Sequence, residues 1–166
     1  MLDCNPVSTP MDSSVMLIPA ADGDRDGLAD VKEYQQIVGE LQFASLVARP
    51  DISCGVGTLA RFNVNPTSTH LAAAKRVLRY LKGTADLGIV YSPPPGEASA
   101  FSDADWAGDR ETRRSRTGYV VMINKGAASW RSALQPTMAL SGLITCCTEV
   151  AVEDCRATED AGAKER

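Results

Sequence analysis

Two aspartates close an apolar run in the second half of the sequence. Asp103 and Asp105 stand two positions apart in the stretch AFSDADWAGD, residues 100–109. In a β-strand, side chains two positions apart face the same way, so both carboxylates can reach one site. Converging carboxylates hold Mg²⁺, and phosphodiester cleavage with two metal ions needs several of them. An isolated pair at a strand end more often caps a turn, and the A-G-D that follows favours this alternative.

The second chemical feature is a basic helix. The pattern from Leu71 to Lys82 places apolar residues on one side of a helix and four cations on the other. A solvated helix face usually alternates the sign of its charges, but no acid occurs between Arg61 and Ala85. The missing acids favour a helix that lies along a phosphate backbone over a merely solvated face. The four cations are Lys75, Arg76, Arg79 and Lys82.

A third stretch, DGDRDGLADVKE at residues 22–33, has the spacing of an EF-hand calcium loop. The alternative is an acidic surface loop ahead of the next helix. The alternative is favoured because no second loop is present to pair with the first, and because Pro19 makes the preceding segment a poor incoming helix. The calcium ligands would be Asp22, Asp24, Asp26 and Glu33.

Two kinds of element must position these groups. Prolines break the first part of the chain, and helical spacing of apolar residues then predicts three helices. After them, runs of β-forming residues predict a short strand, a proline-rich boundary and several further strands. The helices are expected at 31–48, 51–62 and from 65–69 to Gly83; the strands are expected at 87–91, 99–103, 117–124 and 125–132, with a short piece at 137–140.

This pattern divides the chain into four parts. Residues 1–30 are an irregular junction, 31–92 a helical segment, 93–97 a linker, and 98–166 a strand-rich domain with a weakly helical tail. The fold class expected from it is α+β.

Composition narrows the class of protein. The chain has 166 residues with 44% hydrophobic and 5% aromatic residues, which predicts an aliphatic core. A net charge of -4 argues against a polycation that coats nucleic acid, but it allows a local basic face. Five cysteines without a C-x-x-C pair and one histidine are too few for a zinc site of the usual spacing, and they suggest reduced thiols. With no signal peptide or bilayer-spanning run, we expect an intracellular protein, cytoplasmic or nuclear, that does not bind membranes.

Several longer strings resemble the Pol polyproteins of copia-type retrotransposons. SDADWAGDRETRRSRTGYV from residue 102, ASW at 128–130 and QPTMALS at 135–141 resemble the first half of their ribonuclease H domain. YQQIVGELQF, RPDI and NPTSTHLAAAKRVLRYLKGTADLGIVY resemble the thumb and connection region that follows the reverse-transcriptase palm, and STPMD at 8–12 fits the junction. The resemblance covers about residues 1–141.

The resemblance implies a fold and an activity. The fold would be a helical thumb and connection segment followed by a partial RNase H-like mixed sheet. The family cuts the RNA strand of an RNA–DNA hybrid with Mg²⁺ held by acidic residues, and Asp103 matches the metal-binding aspartate of its first strand. The helix from Leu71 to Lys82 would touch the template–primer duplex.

The sequence departs from this family beyond Ser141. The family continues with a T-E-A-E-Y-like helix whose second glutamate is the next metal ligand, whereas here that position falls on Ala151 or Val150. Glu149 is only a neighbour of it, and a residue shifted by two along a helix turns through about 200°. The later aspartate strand and the polymerase palm have no counterpart in this sequence.

Three functions remain in view. The first is a truncated polyprotein remnant that is catalytically incompetent as this chain, although another polyprotein chain could complete its fold. The second is a non-catalytic module that binds an RNA–DNA hybrid or a template–primer duplex through the basic helix. The third is a weak Mg²⁺-dependent ribonuclease H that improvises a site from Asp103, Asp105 and Glu149.

Overall fold

The computed structural model describes residues 4–20, 31–92, 98–105 and 113–136. The chain divides into two compact units, Met1–Ile89 and Val90–Arg166. The first unit is helical and the second is a β-sheet, so the expected α+β class is confirmed. No helix in these described ranges is long and apolar enough to cross a bilayer.

Three α-helices build the first unit: α1 is Val31–Val47, α2 is Ser53–Leu59 and α3 is Ser68–Gly83. Short 3₁₀ turns, Pro50–Ile52 and Ala60–Phe62, flank α2. The predicted helix over 51–62 is therefore present but broken into three pieces. Its two glycines reduce helix propensity by about 1 kcal/mol each, and one of them, Gly55, is buried against Met11.

The apolar stripes of these helices meet in one core. The stripe of α1 contains Tyr34, Val38 and Leu41, whose side chains are fully or almost fully buried. Ile37 packs only at the edge of this cluster. From the other helices the core takes Ile52, Val56, Leu59, Leu71, Ala74 and Val77.

The described part of the second unit contains three antiparallel strands in the order β1-β2-β3. They are β1, Ser99–Ala104; β2, Arg116–Ile123; and β3, Gly126–Leu134. A two-residue turn joins β2 to β3, with positive φ at Asn124 (52°) and Lys125 (67°). Positive φ at both central positions matches the right-handed twist of a hairpin, which explains why the chain reverses here.

The prediction of a strand at 87–91 is wrong. Residues 87–92 form no ladder; at their end Ser92 N donates to Asn124 O at 2.9 Å and Tyr91 Oη donates to Ala127 O at 2.8 Å. Leu87 and Val90 are 59% and 73% exposed. Residues 87–91 do include β-forming residue types, but a strand also needs a neighbouring strand to pair with and a face to bury. The predicted piece at 137–140 and the tail lie outside the described residues.

Candidate nucleic-acid interface and carboxylate edge

The basic face of α3 follows from how the helix is anchored. Thr67 caps its start, since Thr67 Oγ1 accepts from His70 N at 3.4 Å and Thr67 N donates to His70 Nδ1 at 2.9 Å. Leu71, Ala74 and Val77 then turn into the core. Because the opposite side of an α-helix must face outward, the four predicted cations Lys75, Arg76, Arg79 and Lys82 share the remaining face.

An extended segment of the chain's own N-terminus lies along this face. We call residues 4–20 the N-terminal strap. Lys82 Nζ donates to Cys4 O at 2.9 Å, and Arg79 Nε donates to Asn5 O at 2.7 Å. Arg76 Nη2 donates to Thr9 Oγ1 at 2.9 Å, and its Nη1 lies 3.5 Å from Asp12 Oδ2. Three of the four cations therefore contact the strap.

The fourth cation pairs elsewhere. Lys75 Nζ lies 2.9 Å from Glu33 Oε1, in the first turn of α1. Glu33 is also the last ligand of the predicted calcium loop, and here its carboxylate forms an ion pair with Lys75. The other three members of that loop, Asp22, Asp24 and Asp26, lie outside the described residues, so the loop stays a prediction.

Asp12 of the strap is held by local bonds. Its Oδ1 accepts from Ser14 Oγ at 2.6 Å and from Ser14 N at 3.0 Å. These hydrogen bonds, helped by the nearby Arg76 charge, lower the pKa of the Asp12 carboxyl. Asp12 therefore presents a negative charge to Arg76 at neutral pH.

Two glycines make room for the strap. A Cβ at Gly83 would lie 2.8 Å from Pro6 Cβ, and a Cβ at Gly55 would lie 2.8 Å from Met11 Cγ. Real Cβ atoms do not approach carbon atoms this closely. The Pro6 ring therefore occupies space that glycine leaves open at position 83, whereas the flexible Met11 side chain would have to shift if position 55 carried a Cβ. The strap is thus a fitted element rather than a loosely placed one at these two points.

Elsewhere the strap fits poorly. A cavity of about 540 Å³ lies between it and the first turns of α3, lined by Met11, Val15, Leu17, Ala72, Ala73 and Arg76 among others. Val15, Met16 and Ile18 are 44%, 56% and 62% exposed. Beyond Met11 the strap therefore buries little of its apolar surface.

The two predicted carboxylates lie at the end of β1, and they differ in what they bind. Asp105 N donates to Arg116 O at 3.1 Å, and Arg116 N donates back to Asp105 Oδ1 at 2.6 Å. The Asp105 side chain thus replaces a backbone carbonyl in the β1–β2 ladder. Asp103 is exposed, and its Oδ1 accepts from the adjacent Ala104 N at 2.9 Å.

This edge is an incomplete cation site in the described part of the chain. Asp103 Oδ1 accepts a local hydrogen bond from Ala104 N, while Asp105 Oδ1 accepts from Arg116 N across the two strands. No cluster of three or more metal-binding side chains occurs in the ranges 4–20, 31–92, 98–105 and 113–136. Magnesium needs near-octahedral oxygen coordination, so these residues alone do not fit it. Glu149 lies outside the described residues.

The sequence reasoning missed the best-connected polar group. Arg49 is 9% exposed, and its guanidinium binds both oxygens of Asp51, at 3.0 and 2.7 Å. It also donates to Thr84 O at 3.0 Å and Thr84 Oγ1 at 2.7 Å, while Tyr80 Oη donates to Asp51 Oδ2 at 2.8 Å. The Arg49 hydrogen bonds lower the pKa of the Asp51 carboxyl. The string RPD alone gives no signal for partners about thirty positions away.

Comparison with known proteins gives several relatives. The chain is 45% identical to Secreted RxLR effector protein 161 of Plasmopara viticola over 109 residues, which are 65% of this chain and 77% of that protein. It is 38% identical over 145 residues to the Retrovirus-related Pol polyprotein from transposon TNT 1-94 of Nicotiana tabacum, covering 85% of this chain and 11% of the polyprotein. It is 43% identical over 136 residues to the corresponding polyprotein from transposon RE1 of Arabidopsis thaliana, covering 81% of this chain and 9% of the polyprotein.

The chain therefore spans about a tenth of the length of the Pol polyproteins that it matches. Neither a protein-family model nor a solved structure matches it.

Proposed function

Because the chain belongs to the family of copia-type retrotransposon Pol polyproteins, we propose that it is a remnant of such a polyprotein whose residual activity is to bind a nucleic-acid duplex. The family's reactions, RNA-directed DNA synthesis and RNase H cleavage, would not be carried out by this chain alone. The observation that carries the proposal is the face of α3, where four cations lie opposite a buried apolar stripe.

The chemistry of this face suits a phosphate backbone. Lysine and arginine neutralise phosphates and release condensed counterions, which gives affinity without reading sequence. The ligand would be an RNA–DNA hybrid or a template–primer duplex. Since the chain as a whole carries a net charge of -4, binding should depend on this local field and weaken steeply as salt screens it.

Removal of the four charges tests the proposal. We expect replacement of Lys75, Arg76, Arg79 and Lys82 by glutamine to weaken binding of a labelled hybrid duplex at least tenfold at low salt. The salt dependence should also flatten, because the slope falls by about 0.9 for each phosphate that the protein no longer neutralises. Fluorescence anisotropy over a range of salt concentrations measures both quantities.

A matched control separates a local face from general charge. Replacing Lys32, Arg61, Arg113 and Arg131 by glutamine changes the net charge by the same amount and alters no side chain of α3. Equal loss of affinity in the two variants, or binding by the unmodified chain that does not respond to salt, would contradict the proposal.

A weak Mg²⁺-dependent ribonuclease H is the second candidate, favoured by the exposed carboxylate of Asp103. Our expectation is that it fails: a labelled RNA–DNA hybrid with Mg²⁺ should be cut no faster by the unmodified chain than by Asp103→Asn. The physical reason is that the described residues offer too few converging oxygens for the ion. Cleavage that disappears in Asp103→Asn, but persists in Asp86→Asn, would show that residues elsewhere complete the site.

A further inference from the structure

The strap and a duplex would use the same donors of α3. In order along the strap, Cys4 O, Asn5 O and the polar atoms of Thr9 and Asp12 meet Lys82, Arg79 and Arg76 in reverse order along the helix. The strap therefore runs antiparallel to α3 and offers it a row of oxygen acceptors. Phosphate oxygens are acceptors of the same kind, with more negative charge.

The strap is seated at defined points. Pro6 lies against Gly83 near the end of α3, and Met11 lies against Gly55 in α2. Leu17 and Met11 also pack against the helical core. These contacts hold the backbone carbonyls of the strap in front of the cations, so its hydrogen bonds are not chance surface contacts.

The seat is also incomplete over the second half of the strap. The cavity of about 540 Å³ lies beneath residues 11–17, and the strap leaves Val15, Met16 and Ile18 largely exposed. In this half of the strap, Val15, Met16 and Ile18 are already largely in water, so lifting it newly exposes mainly the side chains of Met11 and Leu17. The donors it leaves behind could bind phosphates instead.

We propose that the N-terminal strap is a built-in competitor, which covers the duplex-binding face of α3 and has to leave it before a duplex binds. This inference rests on the proposed duplex-binding function. Only the fraction of molecules with the strap released is competent, and the apparent dissociation constant is the intrinsic constant divided by that fraction. Weakening the strap then tightens duplex binding without altering any cation.

The experiment compares two full-length double variants. Met11→Ala with Asp12→Asn removes an anchor side chain and the acid that faces Arg76. Met16→Ala with Asp86→Asn makes the same chemical changes at an exposed strap residue and an exposed acid just beyond α3. Binding of a labelled hybrid duplex is measured at one low salt concentration. We expect about five- to tenfold tighter binding by the first variant and less than twofold change in the second.

The outcomes separate this inference from the proposed function. Equal affinities in the two variants, with the unmodified chain still binding, would overturn the competitor and leave duplex binding intact. Absence of binding in every chain, including the loosened one, would overturn both. Binding by the loosened chain alone would support both.

Thiol reactivity provides a second readout of strap release. Cys4 lies in the strap beside Lys82, and Cys54 is exposed on α2. If a duplex displaces the strap, Cys4 should be alkylated faster relative to Cys54 when duplex is added, as measured for each peptide by mass spectrometry. Slower alkylation of Cys4 would mean that the duplex binds over the strap, which would overturn the inference.

Discussion

At the scale of single residues, Arg49 joins parts of the helical unit that are far apart in sequence. Its guanidinium reaches Asp51 and both polar oxygens of Thr84, and it lies 5.5 Å from the centre of the Tyr80 ring. A planar fork of donors is what this geometry requires, and an ammonium group cannot reproduce it. Arg49 therefore helps to fix the end of α1 to the end of α3, together with the hydrogen bond from Tyr80 Oη to Asp51.

Replacing Arg49 by lysine should therefore destabilise the helical unit. We expect a loss of about 2 kcal/mol in the free energy of unfolding, because hydrogen bonds to charged groups contribute about 1.5–3 kcal/mol and the bidentate pair is removed. Urea unfolding measures it. The same substitution at the exposed Arg131 is the control, for which a change below about 0.5 kcal/mol is expected. Similar losses in the free energy of unfolding at both positions would show that the Arg49 hydrogen bonds stabilise the unit no more than an exposed arginine does.

The two aspartates at the end of β1 show that a sequence can identify candidate site residues without showing what each side chain binds. In the sequence, Asp103 and Asp105 are equivalent candidates for a metal ligand, two positions apart at a strand end. The structure gives Asp105 a ladder bond to Arg116 N and leaves Asp103 exposed. The difference arises because the partner amide comes from β2, eleven residues later.

At the scale of elements, α3 is defined by its first turn. His70 is fully buried, stacks on Phe62 with 3.9 Å between ring centres, and accepts the Thr67 N–H through Nδ1. Burial lowers the pKa of the His70 imidazole, against a smaller opposing effect of a hydrogen bond with the Ile18 backbone. The neutral ring is therefore the form that the helix start requires.

This predicts a pH dependence with a definite sign. Since the folded pKa is below the unfolded value of about 6.5, the unfolded chain takes up the proton first, and stability present above pH ~6.5 is lost as pH falls toward the folded pKa. We expect the melting temperature to fall between pH 7.5 and 5.5. The chain has one histidine, so no other imidazole contributes.

His70→Gln is the matched control for that measurement. Glutamine at this position can still complete a capping box, but it does not titrate. The variant should be less stable overall, since the stack on Phe62 is removed, and its melting temperature should change little over the same pH range. A fall with pH as steep as in the unmodified chain would assign the effect to other groups.

At the scale of the whole molecule, the two units differ in how they are stabilised. Among the described residues, the buried hydrophobic side chains all belong to the helical unit. The buried side chains of the described sheet residues are polar, namely Ser115, Thr117 and Gln135, and Phe101 of β1 is 61% exposed. A sheet needs an apolar layer against one face, so the described strands alone account for only part of such a domain.

Most helices and strands, and the family to which the chain belongs, were predictable from short stretches of sequence. Apolar spacing, the helix-start signal at 65–69 and the β-forming runs predicted α1, α3 and the three strands, because these signals act within one or two turns of the chain. The strings around SDADWAGD and YLKG indicated the polyprotein family that the relatives confirm.

The contacts of the polar side chains, by contrast, became visible only in the folded chain. The strap reaches Arg76, Arg79 and Lys82 across separations of 67, 74 and 78 positions, and no local pattern encodes a contact over such a distance. The stretch at 87–91 has the letters of a strand but no pairing edge. Pairing and occlusion depend on which surfaces the fold brings together, and that is a property of the packed chain rather than of any short segment.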